Sequence, residues 1–226
     1  FLVHPGGGLR DGLLYAFYGG IYGMDHDPIH EPQHKWTGPG TMPVLAHLGG
    51  AAAPCGLEIY RSRVFGADYE SNLFTCCFNM HKITRHVLEP DGATFKSHDS
   101  DFLVSSNLDF HPTDILEDAD GSLVVVDTGG WYKLCCPTSQ LHKPDILGGI
   151  YRVRRNYSLV TAPLRSTDWK DPRGLNIPWS KLSAAELTHR FLGDARPAVR
   201  DRAMRELARR GAAAVPALAE AARVPP

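Results

Sequence analysis

A short apolar strand launched from a polar turn recurs three times in the first 160 residues. The copies are Gly12-Leu13-Leu14-Tyr15-Ala16, Asn72-Leu73-Phe74-Thr75-Cys76 and Ser122-Leu123-Val124-Val125-Val126. The later two keep their neighbours in order. Leu57-Glu58-Ile59-Tyr60 precedes the second and Lys82-Ile83-Thr84-Arg85-His86-Val87-Leu88 follows it; Thr113-Asp114-Ile115-Leu116 precedes the third and Gly149-Ile150-Tyr151-Arg152-Val153 follows it. Tight-turn signals, Pro90-Asp91-Gly92 and Asp120-Gly121, punctuate the units. Several short strands per unit, at roughly the 40–50-residue period of blade repeats, predict a β-propeller. An antiparallel sandwich shares the alternation and the turns, and is the competing architecture.

Beyond about residue 180 the character changes. The front holds 20 of the 22 glycines and all four tryptophans, whereas residues 181–226 hold 13 alanines. Glycine-punctuated, β-branched sequence favours strands and turns, and alanine-rich sequence favours helix. Ser183 with Glu186 three residues on reads as a capping box, opening a helix through Leu192. Asp194 can cap the next helix, with Pro197 in its first turn. Val199, Ala203 and Leu207 form one buried stripe, and Gly211 ends that helix before Ala214-Val215-Pro216 starts another. Paired helices of this kind predict HEAT repeats, with an ordinary helical hairpin as the rival. The expected organisation is a partial propeller over 1–160, a Pro-rich linker over 161–180 with Pro163, Pro172 and Pro178, and a helical solenoid over 181–226. The chain opens on Phe1, and its first methionine is Met24, so a longer protein is expected.

Charge narrows the function classes. With 24 basic and 25 acidic residues the net charge is -1. That gives no general attraction to nucleic acid or an anionic membrane. No stretch approaches the roughly 18 apolar residues of a membrane span. No Ser-His-Asp triad, phosphate loop or dinucleotide glycine pattern is legible.

Six strings then point one way: Cys55-Gly56-Leu57-Glu58-Ile59-Tyr60-Arg61, Asn72-Leu73-Phe74, Phe110-His111-Pro112-Thr113-Asp114, Asp120-Gly121-Ser122-Leu123, Val126-Asp127-Thr128-Gly129-Gly130-Trp131-Tyr132-Lys133-Leu134-Cys135-Cys136-Pro137, and Gly149-Ile150-Tyr151-Arg152-Val153. Together they resemble the membrane-bound dehydrogenase propellers of the PVC-type haem-binding CxxCH proteins, distant relatives of the glucose/sorbosone quinoprotein dehydrogenases. The resemblance implies a mainly β fold: the last two to three blades of a six-bladed, TolB-like or quinoprotein-like propeller, then the first HEAT repeats. It implies an exported, periplasmic or membrane-associated oxidoreductase that acts on a sugar or polyol. Electrons would pass toward a c-type cytochrome domain. A quinone and Ca²⁺ would belong to the full propeller, and haem c only to a downstream domain, because no Cys-x-x-Cys-His occurs here. The HEAT helices would contact the cytochrome domain or another protein. The alternative is a non-catalytic propeller/HEAT scaffold that binds protein or carbohydrate.

Candidate chemistry sits in two places. His111 and Asp114 enter an inner strand, and the loops leading into inner strands line one mouth of a propeller channel. His111 is the candidate general base and Asp114 its orienting carboxylate or a Ca²⁺ ligand, unless both serve as turn caps. The second place is the insertion from Asp127 to Gly148, longer than an ordinary hairpin loop. Trp131, Tyr132, Lys133, Gln140 and His142, with Lys143, suit a sugar ring or a carboxylate-bearing quinone. The insertion is otherwise a lid or domain contact.

Five cysteines leave one unpaired if two disulfides form. Cys55 is expected to bridge to Cys135 or Cys136, stapling the insertion. Zinc is disfavoured because no Cys-x₂-Cys pair exists. His26, His30 and His34 lie four apart, but Pro28 and Pro32 break the helix that would align them, so a loop is expected and no metal site.

Overall fold

The computed structural model describes residues 1–4, 11–22, 41–130, 143, 145–156 and 170–223. His26, His30, His34, residues 157–160 and the first part of the expected linker, 161–169, lie outside them. The chain divides into two compact units. One comprises Phe1–Tyr60, Ser71–Glu117 and Leu123–Val153; the other comprises Arg61–Glu70, Asp118–Ser122 and Arg154–Pro226.

The first unit is built mainly of antiparallel sheets. Strands β1 (Leu2–His4) and β2 (Gly12–Leu14) open it, followed by a short parallel pair, β3 (Ile21–Tyr22) and β4 (Thr41–Met42). Strand β5 (Ala46–His47) returns beside β2, giving the order β1-β2-β5. Four strands then run as a meander: β6 (Pro54–Ile59), β7 (Leu73–Cys77), β8 (Lys82–Asp91) and β9 (Thr94–Val104). A three-stranded meander follows: β10 (Pro112–Glu117), β11 (Leu123–Asp127) and β12 (Gly149–Val153).

Pairing register explains the burial. All five residues of β7 are buried, so the strand reads as a continuous apolar run rather than an alternation. Leu73 and Cys77 point to one face and join Leu13, Leu45, Ala46, Leu48 and Ala52 in a core with the β1-β2-β5 sheet. Phe74 points to the other face, where its ring meets Phe102 at 4.7 Å and Tyr60 at 6.1 Å. On that side β6 touches β10. A Cβ on Gly56 would lie 2.5 Å from the Asp114 Cα, so only glycine permits this approach.

Strand β9 is the longest, and no expected strand corresponded to it. Its Lys96-Ser97-His98-Asp99-Ser100-Asp101 stretch carries no hydrophobic alternation. The strand forms because the two-residue turn between Asp91 and Thr94, with Gly92 at φ 62, folds it back onto β8 residue by residue.

The second unit carries the helices. The capping box forms as read: Glu186 N–H donates to Ser183 Oγ (3.1 Å), and Ser183 N–H donates to Glu186 Oε2 (2.8 Å). The helix it opens is α-helical only over α1 (Ala184–Glu186) and widens to a π-helix over Leu187–Phe191. Thr188 Oγ1 donates to the Ala184 carbonyl (2.9 Å), a local competitor of the backbone ladder. Helix α2 (Pro197–Arg210) starts with Pro197 and stops at Gly211, φ 56. Its N-cap is Arg196, not Asp194. Asp194 instead grips Arg196, accepting from its N–H (2.9 Å) and forking across its guanidinium (2.8 and 2.8 Å). Helix α3 (Val215–Ala221) follows. Val199, Ala203 and Leu207 form the expected stripe and pack with Trp179, Leu182, Leu187 and Phe191. Arg61 pairs with Asp201 (2.7 Å) and Arg200 with Glu70 (3.8 Å), tying α2 to the 61–70 segment. Among the described residues no helix is long and apolar enough to cross a membrane.

Candidate functional site

Three segments of the first unit converge: the 105–111 turn leading into β10, the 127–130 turn leaving β11, and the 78–81 turn between β7 and β8. The first is laced by short-range bonds. Asn107 N–H donates to Ser105 Oγ (3.1 Å), Asp109 N–H to Asn107 Oδ1 (3.0 Å) and Phe110 N–H to the Asn107 carbonyl (3.1 Å). Asp127, nearly buried, holds the second segment to the first. Its Oδ1 accepts the His111 N–H and the Gly129 N–H, both at 2.8 Å. One carboxylate oxygen thus satisfies two backbone donors at the open end of the β10–β11 pair.

The His111 ring is fixed in tautomer. Nδ1 lies 2.9 Å from the Gly129 carbonyl and 3.1 Å from the Asp109 carbonyl. Carbonyl oxygens only accept, so Nδ1 carries the proton and Nε2 the lone pair. Phe78 stacks at 4.8 Å and the His81 ring lies edge-on at 5.1 Å. Burial, and then the neighbouring His81, push the His111 pKa below the ordinary histidine value. The neutral ring therefore prevails at pH 7.

Asp114 does not orient this ring. Its Oδ1 accepts the adjacent Ile115 N–H (2.9 Å), and the side chain is exposed on β10. A register irregularity between Pro112 and Asp114 separates the two residues along the strand. The orienting role read for Asp114 falls to the carbonyls of Asp109 and Gly129.

The neck of the long insertion sits here too. Gly130 N–H donates to the Ile146 carbonyl (3.0 Å), Lys143 N–H to the Gly130 carbonyl (2.6 Å), and Lys143 Nζ pairs with Asp109 Oδ1 (2.6 Å). Close approach requires glycine: a Cβ on Gly148 would lie 2.0 Å from the Asp127 carbonyl oxygen. Trp131, Tyr132, Lys133, Gln140 and His142 lie outside the described residues, as do Cys135 and Cys136. The Cys55 bridge is therefore an expectation about partners not described. Among the described residues Cys55 has no disulfide partner, and its Sγ donates to the Pro112 carbonyl (3.2 Å). Among the described residues no three His, Cys, Asp or Glu side chains converge to hold a metal ion.

Sequence reading missed His81 and the clamp role of Asp127. Asp127-Thr128-Gly129 at a strand end carried a turn signal; His81, 30 residues from His111, carried none. It also missed a polar ladder across the β8–β9 face, where buried His86 bridges Asp99 Oδ1 (2.7 Å) and Thr84 Oγ1 (2.9 Å).

The thiols yield a pH expectation. Burial first of all pushes Cys55 and Cys77 up from about 9 to about 11, and pushes Cys76 up further. The folded chain keeps these protons where the unfolded chain has released them. For Cys55 and Cys77 that stabilisation is complete below about pH 9 and is lost as pH rises from about 9 to 11. Each such thiol steepens the loss by up to about 1.4 kcal/mol per pH unit. Cys77→Ala should show a shallower fall of the urea midpoint between about pH 8.5 and 10.5 than the wild type. Equal slopes would mean that the Cys77 thiol titrates alike in both states.

Among solved structures, the chain is similar to an oxidoreductase from Thermus thermophilus, assigned as a glucose dehydrogenase. The two are 17% identical, with a TM-score of 0.38, over 52% of this chain and 31% of that one. The chain thus spans about a third of that protein's length. Comparison with curated proteins gave no match. A family model matches residues 25–156, more than half of the chain and every described residue of the His111 site, and by that match the chain belongs to the family described as a domain of unknown function, DUF7133.

Proposed function

We propose that this chain supplies blades of a β-propeller oxidoreductase, followed by HEAT-type helices, and that His111 takes the hydroxyl proton when a sugar or polyol is oxidised. The observation that carries the reading is the His111 ring: held by main-chain carbonyls, with its lone pair on Nε2, and kept neutral near pH 7. The β6–β9 and β10–β12 meanders support the propeller, since each is an antiparallel run whose first strand lies against that of the other. The capping box, the proline-started α2 and its buried stripe support the repeat helices. The oxidation breaks the substrate O–H and C–H bonds and leaves a carbonyl. A quinone, as the accepting cofactor, would receive the hydride. Asp127 keeps the base in register, and Asp109 positions Lys143 at the insertion neck. The resemblance to the PVC-type proteins supports export and a downstream cytochrome as the electron sink.

A second reading, a non-catalytic scaffold, draws on the apolar side chains exposed on the helices: Met204, Val215 and Leu218. One assay separates the two. The full-length protein, supplied with a quinone and a dye acceptor, is offered a panel of aldoses and polyols. Substrate-dependent dye reduction supports the oxidoreductase. Absence of reduction with every substrate, alongside a measurable heat of binding for a glycan, overturns it in favour of the scaffold.

A further inference from the structure

We infer that His81 is a positioning residue for His111, pinning the loop that carries it and walling its imidazole on one side. The significance of this for chemistry rests on the base role proposed above; the contact geometry does not.

His81 closes the 78–80 turn with φ 53, in the left-handed region. Glycine fills such a position most readily, and histidine is among the few side chains that also suit it, so the ring is free to take on a task of its own. The ring has one. Its Nδ1 lies 2.8 Å from the Phe110 carbonyl, a group that only accepts, so His81 is the donor. That bond holds the residue immediately before His111. The backbone repeats the tie, since Ser105 N–H donates to the His81 carbonyl (3.0 Å). The same turn contributes Phe78, so one short segment gives His111 two ring contacts, at 4.8 and 5.1 Å. Glycine would supply neither the hydrogen bond nor the ring.

Ionisable groups near the pair include Asp109, Asp127 and Lys143. Lys143 is paired with Asp109, and Asp127 is engaged with two backbone N–H groups. The His81 ring, edge-on at 5.1 Å, adds to the larger effect of burial in lowering the His111 pKa.

The test is an NMR titration of the imidazole Cε1–H signals in the full chain. The His111 signal is assigned by its loss in His111→Asn. Wild-type His111 should titrate below the ordinary value of about 6.5. In His81→Asn, which suits the left-handed backbone, its midpoint should rise toward that value and its signal should broaden as the ring loses its wall. His81→Gly should do the same, and serves if the asparagine variant folds poorly. An unchanged His111 titration in a folded variant, whatever the melting temperature does, overturns the inference and leaves His81 a turn residue. The base reading fails separately, if His111→Asn leaves sugar oxidation intact while His81→Asn still shifts the His111 titration.

Discussion

His111→Asn should, on the base role proposed above, lower sugar or polyol oxidation by about 10²–10⁴-fold, the usual contribution of a positioned base. Asparagine is the informative replacement because its amide N–H can take the place of Nδ1–H. The bond to the Gly129 carbonyl, 2.9 Å in the native chain, can then survive. What is removed is the lone pair on Nε2. Asp127 continues to hold the residue-111 N–H, so the turn should stay closed. The stability change should stay within about 1 kcal/mol, or about 2–4 °C in melting temperature for a chain of this size. The pH profile gives a second check. A base whose pKa lies below the ordinary histidine value remains unprotonated further into acid. Wild-type turnover should therefore hold below about pH 6.5 and fall only as His111 gains its proton. A variant that turns over normally but melts several degrees lower would make His111 a strand cap.

Phe74→Ala should destabilise the first unit by about 3–5 kcal/mol, the range for emptying a buried aromatic site. Phe74 is wholly buried at the centre of β7, with strands on both sides. Its ring contacts Phe102 from β9 and Tyr60 just past β6, so the loss reaches across the sheet. Backbone pairing holds these strands at fixed spacing, and the cavity can collapse only partly. Tyr18→Ala is the control: Tyr18 is fully exposed, and its loss should change stability by no more than about 0.5 kcal/mol. Urea unfolding followed by circular dichroism reads both. A Phe74→Ala midpoint matching that of Tyr18→Ala would show that the β7 face is not the packed core described here.

Much of this molecule was open to reading before any coordinates. The strands from Leu57, Asn72, Lys82, Thr113, Ser122 and Gly149 appear within a residue or a few of where their apolar runs and turns put them. So do the Ser183–Glu186 cap, the Val199, Ala203, Leu207 stripe and the Gly211 stop. These signals act over a few residues: side-chain period, a reciprocal cap, a glycine where φ must be positive. The local preference and the final structure agree, so the signal survives folding.

Other features depended on partners far along the chain. β9 owes its strand to the register imposed by β8, because its own polar sequence favours nothing in particular. The helix opened by Ser183 looked regular, yet it widens to a π-helix over Leu187–Phe191, where Thr188 Oγ1 bonds back to the Ala184 carbonyl. Asp114 is close to His111 in sequence, yet the strand irregularity and the Ile115 N–H claim it. His81 and Asp127 reach His111 across 30 and 16 residues, through the pairing of β7 with β8 and β10 with β11. By itself the sequence determined most short-range elements: which apolar runs become strands, where the helical segment begins and which residue types could do chemistry. Only tertiary structure decided which of those residues meet, because a one-residue change of register turns a side chain to the opposite face and no local signal records that choice.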